Sequence, residues 1–129
     1  MEYITFTGIA DSVLETLKNH NLRTLELRSP QNFFSALHLS PGDSVLLTPS
    51  RLQDLSNGTM GLVARVVQKQ ISTHALLMAN ELYLEEREAA TAKIQLKCRC
   101  MARVQTVISN EIGKPVLVDA REISCYEAR

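Results

Sequence analysis

Between Ile94 and Ser109 the chain alternates without a break. Ile94, Leu96, Cys98, Cys100, Ala102, Val104, Thr106 and Ile108 take every second place, and Gln95, Lys97, Arg99, Met101, Arg103, Gln105, Val107 and Ser109 fill the others. A period of two belongs to a strand with one apolar and one polar face, so the pattern predicts a long strand. Asn110-Glu111-Ile112-Gly113-Lys114 reads as a turn, with Gly113 where a positive φ is easy, and 116–126 as the returning strand of a long C-terminal hairpin. A two-residue loop at Ile112-Gly113 would set Cys100 opposite Cys125, Ala102 opposite Ile123 and Arg103 opposite Glu122.

The same reading applies upstream. Residues 3–7 alternate Tyr3, Thr5 and Thr7 with Ile4 and Phe6, as in a half-buried strand. Ser12-x-x-Glu15 has the form of a capping box, and with Leu17 at helical spacing it predicts a short helix reaching about Asn19. Residues 22–28 predict a second strand with Leu25 and Leu27 inward. Ser29-Pro30 ends it and begins a helix, Ser29 as N-cap and Pro30 as first helical residue, with Phe33, Phe34 and Leu37 on its buried face. Ser40-Pro41-Gly42-Asp43 is a turn, Val45-Leu46-Leu47 a strand, 49–55 a single helical turn, and 62–71 a β-branched strand. Residues 74–90 use Ala, Leu, Met, Glu and Arg almost exclusively and predict the longest helix, its exposed face bearing Glu81, Glu85, Glu86 and Glu88. Ala64-Arg65-Val66-Val67-Gln68 and Ala102-Arg103-Val104-Gln105 form a faint internal echo.

These elements specify an α+β fold dominated by antiparallel strands. It is expected as one β-rich domain over 1–129, a small barrel or strongly bent sheet with the 74–90 helix packed across it. Composition agrees with a folded domain: 45% of the 129 residues are hydrophobic and 22% charged. The start of the chain has neither the cationic segment nor the apolar stretch of a signal peptide, which predicts a cytoplasmic protein without a membrane partner. Cys98, Cys100 and Cys125, an odd count, are expected as reduced thiols.

Chemistry narrows the function by exclusion. No phosphate-cradling glycine loop, nucleophile elbow or metal triad is present, so neither an enzyme nor a cofactor is expected. The cysteines would share a strand face with Cys125 beside them, but a flat strand splays same-face sulfurs by about 6–7 Å and no fourth ligand lies near, so they are expected as packing groups and no metal is expected. Fourteen Lys and Arg balance fourteen Asp and Glu, which removes the global attraction of a dedicated duplex-DNA binder and leaves only local patches. Lys97, Arg99 and Arg103 form one such patch on the outward side of the long strand, with Lys93 just before them. It suits the backbone of a single-stranded nucleic acid, although the only nearby aromatic for base stacking is Tyr126.

Arg23 and Arg28, followed by Asp54-Leu55-Ser56-Asn57-Gly58, are similar in residue type to the arginine pair and Asp-x-Ser-x-x-Gly of the PilZ cyclic-dinucleotide modules. The spacings differ, Arg28 by one residue and the final Gly by one, so the comparison adds only an anionic, cyclic-dinucleotide-like ligand to the expectations. The leading expectation is a non-catalytic regulatory or interaction module, with a protein partner or a second copy as a homodimer through an exposed strand edge. Nucleic acid along 97–103 and an anionic nucleotide on Arg23 and Arg28 are the alternatives.

Overall fold

A computed structural model of the protein describes residues 1–79, 84–111 and 113–125. Its strands are β1 (Glu2–Phe6), β2 (Leu22–Leu27), β3 (Ser44–Leu47), β4 (Met60–Ala79), β5 (Leu84–Ser109) and β6 (Leu117–Cys125), with helices α1 (Asp11–His20) and α2 (Pro30–Ala36) and a 3-10 turn at Leu52–Asp54. The fold is α+β and mostly sheet. The strands follow the order β2-β5-β4-β3-β1-β6, and a further β5–β6 pairing closes them into a ring, with β2 beside the first half of β5. Pairings are antiparallel except β1–β3, which the intervening α1-β2-α2 segment makes parallel. Among the described residues no helix is long and apolar enough to cross a membrane.

The principal correction concerns residues 74–90. Instead of a helix, 74–79 continue β4 and 84–90 begin β5, residue facing residue from His74–Ala89 to Ala79–Leu84, while 80–83 lie outside the described residues. Helix propensity separates ordinary residues by at most about 0.7 kcal/mol each, and a ladder already set between Gly61 and Ser72 extends at little further entropic cost. Pairing outweighs composition here.

Two apolar clusters divide the molecule. Tyr3, Leu46, Val63, Cys100, Ala102, Val104, Val118 and Ala120 come from every strand of the ring and from neither helix, so they fill its inside. The second cluster lies on the outer surface under the helices and joins Leu17, Ala36, Leu25, Leu27, Phe6, Leu47, Ala64, Ile94, Leu96 and Cys98. β1 is therefore buried on both sides rather than on one: Tyr3 and Thr5 are as inaccessible as Phe6.

The helices differ from expectation in detail. Ser12 lies inside α1 and makes no capping box; Ala10 is the N-cap and offers no side-chain bond. In α2, Ser29 caps by accepting from the Asn32 amide at 3.4 Å, and Pro30 follows as predicted. Its buried face, however, is Asn32, Ser35 and Ala36, with Phe33 and Phe34 half-buried and Leu37 exposed. Polar need decides this choice. The Asn32 amide accepts from the Thr7 N–H at 3.0 Å and donates to the Thr7 carbonyl at 2.8 Å, satisfying backbone groups at the inaccessible end of β1.

Candidate basic face at the rim of the ring

Strand register decides where the charged residues lie. On β4, Val63 pairs with Cys100 but its neighbour Ala64 pairs with Cys98, so Arg99 is the extra residue of a β-bulge. Neighbours on a strand point to opposite faces, and partners share a face. Cys98 therefore packs in the outer cluster with Ala64, and Cys100 inside the ring with Val63. The expected three-cysteine constellation on one face is not assembled: the bulge puts the two thiols on opposite sides of the sheet, and the Cys125 side chain lies outside the described ones. Among the described residues no group of His, Cys, Asp and Glu is arranged to hold a metal ion.

The bulge also divides the basic strand. Lys97 precedes it and lies on the inner surface, beyond the rim of the ring; Arg103 follows it and lies on the outer surface. The expected single row of Lys97, Arg99 and Arg103 is thus corrected to two separate sites. A second bulge, at Val67, restores the register of β4 against β5.

On the inner surface Lys97 stands directly opposite Arg65, and Arg65 in turn opposite Ser44 of β3. Arg99 reaches over the same row, its Nη1 donating to Ser44 Oγ at 3.1 Å. Of the three cations only Arg99 bonds the serine; Arg65 and Lys97 share its row across the ladder. Like charges directly opposite each other across a ladder are unfavourable, and among the described residues neither Arg65 nor Lys97 has an ion-pair partner. Lys97 and Arg99 are half-buried and Arg65 exposed. The surface continues through Gln95 opposite both Thr24 and Gln68, and Lys93 opposite both Glu26 and Gln70. Arg65 is the member that reading the sequence missed. Its alternation with the apolar Ala64 and Val66 is legible, but its cross-strand partner is not.

Below the rim the inside of the ring is closed by Tyr3, whose hydroxyl donates to Glu122 Oε1 at 3.0 Å. Burial first, and then the Glu122 carboxylate, push the phenol up to about 12, while Arg99 pulls in the opposite direction. Tyr3 is therefore a neutral donor at any ordinary pH.

Arg23 and Arg28 both line a cleft of about 350 Å³ between β2 and the start of α1, but they stand near opposite ends of the extended β2 rather than side by side. Residues Asp54 to Gly58 line none of it. Glu26 lines the cleft as well and pairs with Arg28 Nε at 3.2 Å, which cancels part of its positive charge.

The family described as "Protein of unknown function (DUF473)" matches residues 1–118. Uncharacterized protein MJ0105 of Methanocaldococcus jannaschii is similar at 27% identity over 90 residues, 70% of this chain and 56% of the relative, so the match spans about half of the relative's length. No solved structure matches. With the family pattern running from the first strand into the last, this chain belongs to the DUF473 family.

Proposed function

We propose that this chain is a non-catalytic binding domain that engages a single-stranded nucleic acid through Arg65, Lys97 and Arg99. The observation that carries the reading is the directly opposed pair Arg65–Lys97, without an ion-pair partner among the described residues, beside an Arg99 guanidinium tethered to Ser44. Cations held at cross-strand distance repel each other, and a phosphate backbone laid along the strand turns that repulsion into attraction. The ring, read as a small barrel, offers the kind of curved polar face on which other barrels carry single strands. The Arg23–Arg28 cleft receives less support because Glu26 lines it and pairs with Arg28. A cytoplasmic setting fits this ligand.

Fluorescence anisotropy with a labelled single-stranded oligonucleotide across a salt series tests the reading. Three phosphate contacts give a slope of log affinity against log salt of about −2, and Arg65→Gln with Lys97→Gln reduces it to about −0.7. A slope unchanged in the double variant, or binding indifferent to salt, refutes it.

One feature supports self-association as a second reading. Beyond Leu27–Ala92 the β4–β5 ribbon has no third strand among the described residues, which leaves both of its edges open. A homodimer formed there gives a mass that rises with concentration in sedimentation equilibrium; a constant monomer mass removes this reading.

A further inference from the structure

Arg103, separated from Lys97 by the bulge at Arg99, has a partner of its own. It stands directly opposite Arg121 of β6, a second like-charge pair across a ladder. The sequence expectation was Glu122 at that position. Instead Ile123 is bulged out of β6, which moves Glu122 opposite Ala102 and Arg121 opposite Arg103. A further bulge at Gln105 lies on the other side of the pair. Bulges concentrate next to sites where a strand must re-aim side chains.

From this arrangement we propose that Arg103 and Arg121 form a phosphate-binding cleft on the outer surface, taking the dianionic end of a phosphomonoester. Both arginines are exposed, and neither has an ion-pair partner among the described residues. They line a cleft of about 400 Å³ together with Asn57, Gln105 and Glu122. Asn57 is placed by the turn before β4: Gly58 N donates to the Val104 carbonyl and Val104 N to the Thr59 carbonyl, each at 2.8 Å. Its amide and that of Gln105 add neutral donors to two guanidinium forks, the planar groups that bind phosphate bidentately. Among the described residues that line the cleft the one acid is Glu122, and its carboxylate is engaged by the Tyr3 hydroxyl at 3.0 Å.

Two facing guanidiniums match a doubly charged terminal phosphate better than a singly charged diester. Nucleic acid bound on the inner surface does not supply this ligand. The cleft and the Arg65–Lys97 face lie on opposite sides of the sheet, so the two assignments stand or fall separately.

The test is a thermal-shift and calorimetric titration at constant ionic strength with inorganic phosphate, methyl phosphate and dimethyl phosphate. Phosphate and methyl phosphate should give saturable stabilisation, and dimethyl phosphate a much weaker effect. Arg103→Gln or Arg121→Gln should weaken phosphate binding about tenfold or more, as expected for loss of a charge-assisted hydrogen bond. Asn57→Ala should weaken it less, and Arg65→Gln with Lys97→Gln should leave it unchanged. No saturable response, an equal response to dimethyl phosphate, or an affinity that survives Arg103→Gln with Arg121→Gln overturns the proposal.

Discussion

Reversing one charge of the Arg65–Lys97 pair should stabilise the fold while removing its proposed ligand. The perturbation is Lys97→Glu, which changes a repulsive cross-strand pair into an attractive one at the same register. Arg65 is exposed, so water screens the pair. At a charge separation of ~7 Å, Coulomb's law in water gives ~0.6 kcal/mol of repulsion, and reversal doubles the difference to ~1.2 kcal/mol. A Debye length of about 10 Å at 0.1 M salt leaves roughly half of that, ~0.6 kcal/mol, and one of about 3 Å at 1 M leaves ~0.1 kcal/mol. Lys and Glu are both poor strand formers, so propensity contributes little to the comparison.

Urea unfolding at the two salt concentrations measures this directly, as a shift in midpoint at constant m-value. Lys97→Gln should give about half the gain, since it removes the repulsion without adding an attraction. In thermal unfolding the 0.1 M effect corresponds to a rise of about 2–3 °C. A Lys97→Glu protein less stable than the parent at 0.1 M, or a gain undiminished at 1 M, would show that the pair is not electrostatically strained. Stability gained where binding is lost is the pattern expected of charges kept for a ligand rather than for the fold.

Two further outcomes follow from the packing. Gly61→Ala brings a Cβ to 2.7 Å from Leu46 Cδ1 and 2.9 Å from the Leu47 carbonyl oxygen; the leucine can turn away, but the backbone oxygen moves only if β3 and β4 separate. The cost should be about 1–3 kcal/mol by urea unfolding, and a loss under about 0.5 kcal/mol would contradict the contact. Because the Tyr3 phenol is raised to about 12 from its ordinary 10.0, the folded state favours the neutral form. Its contribution to stability is complete below pH 10 and declines as pH rises towards 12. Tyr3→Phe should lack that share of the alkaline decline in denaturation midpoint, and an unchanged profile would count against a raised phenol.

Much of the fold is local chemistry and was legible in the chain. Ser29-Pro30 starts α2, Gly42 adopts a φ of 97° in the turn before β3, and Leu25 and Leu27 are buried on β2. Each follows from one residue type meeting one steric or solvation requirement. The 74–90 segment escaped because helix preference is a property of residues, whereas strand pairing is a property of partners that lie elsewhere in the chain.

The candidate site divides the same way. The amino-acid sequence by itself determined that Lys97, Arg99 and Arg103 alternate with apolar residues on one strand, and that Arg65 falls within another. It could not tell on which surface each would emerge, because alternation passes unchanged through a bulge while the faces exchange. Only the tertiary structure decided that Arg99 is the extra residue, that Lys97 meets Arg65 on the inner surface, and that Arg103 meets Arg121 on the outer one. The physical reason is that facing belongs to a strand pair, and a single inserted residue reverses it for everything that follows.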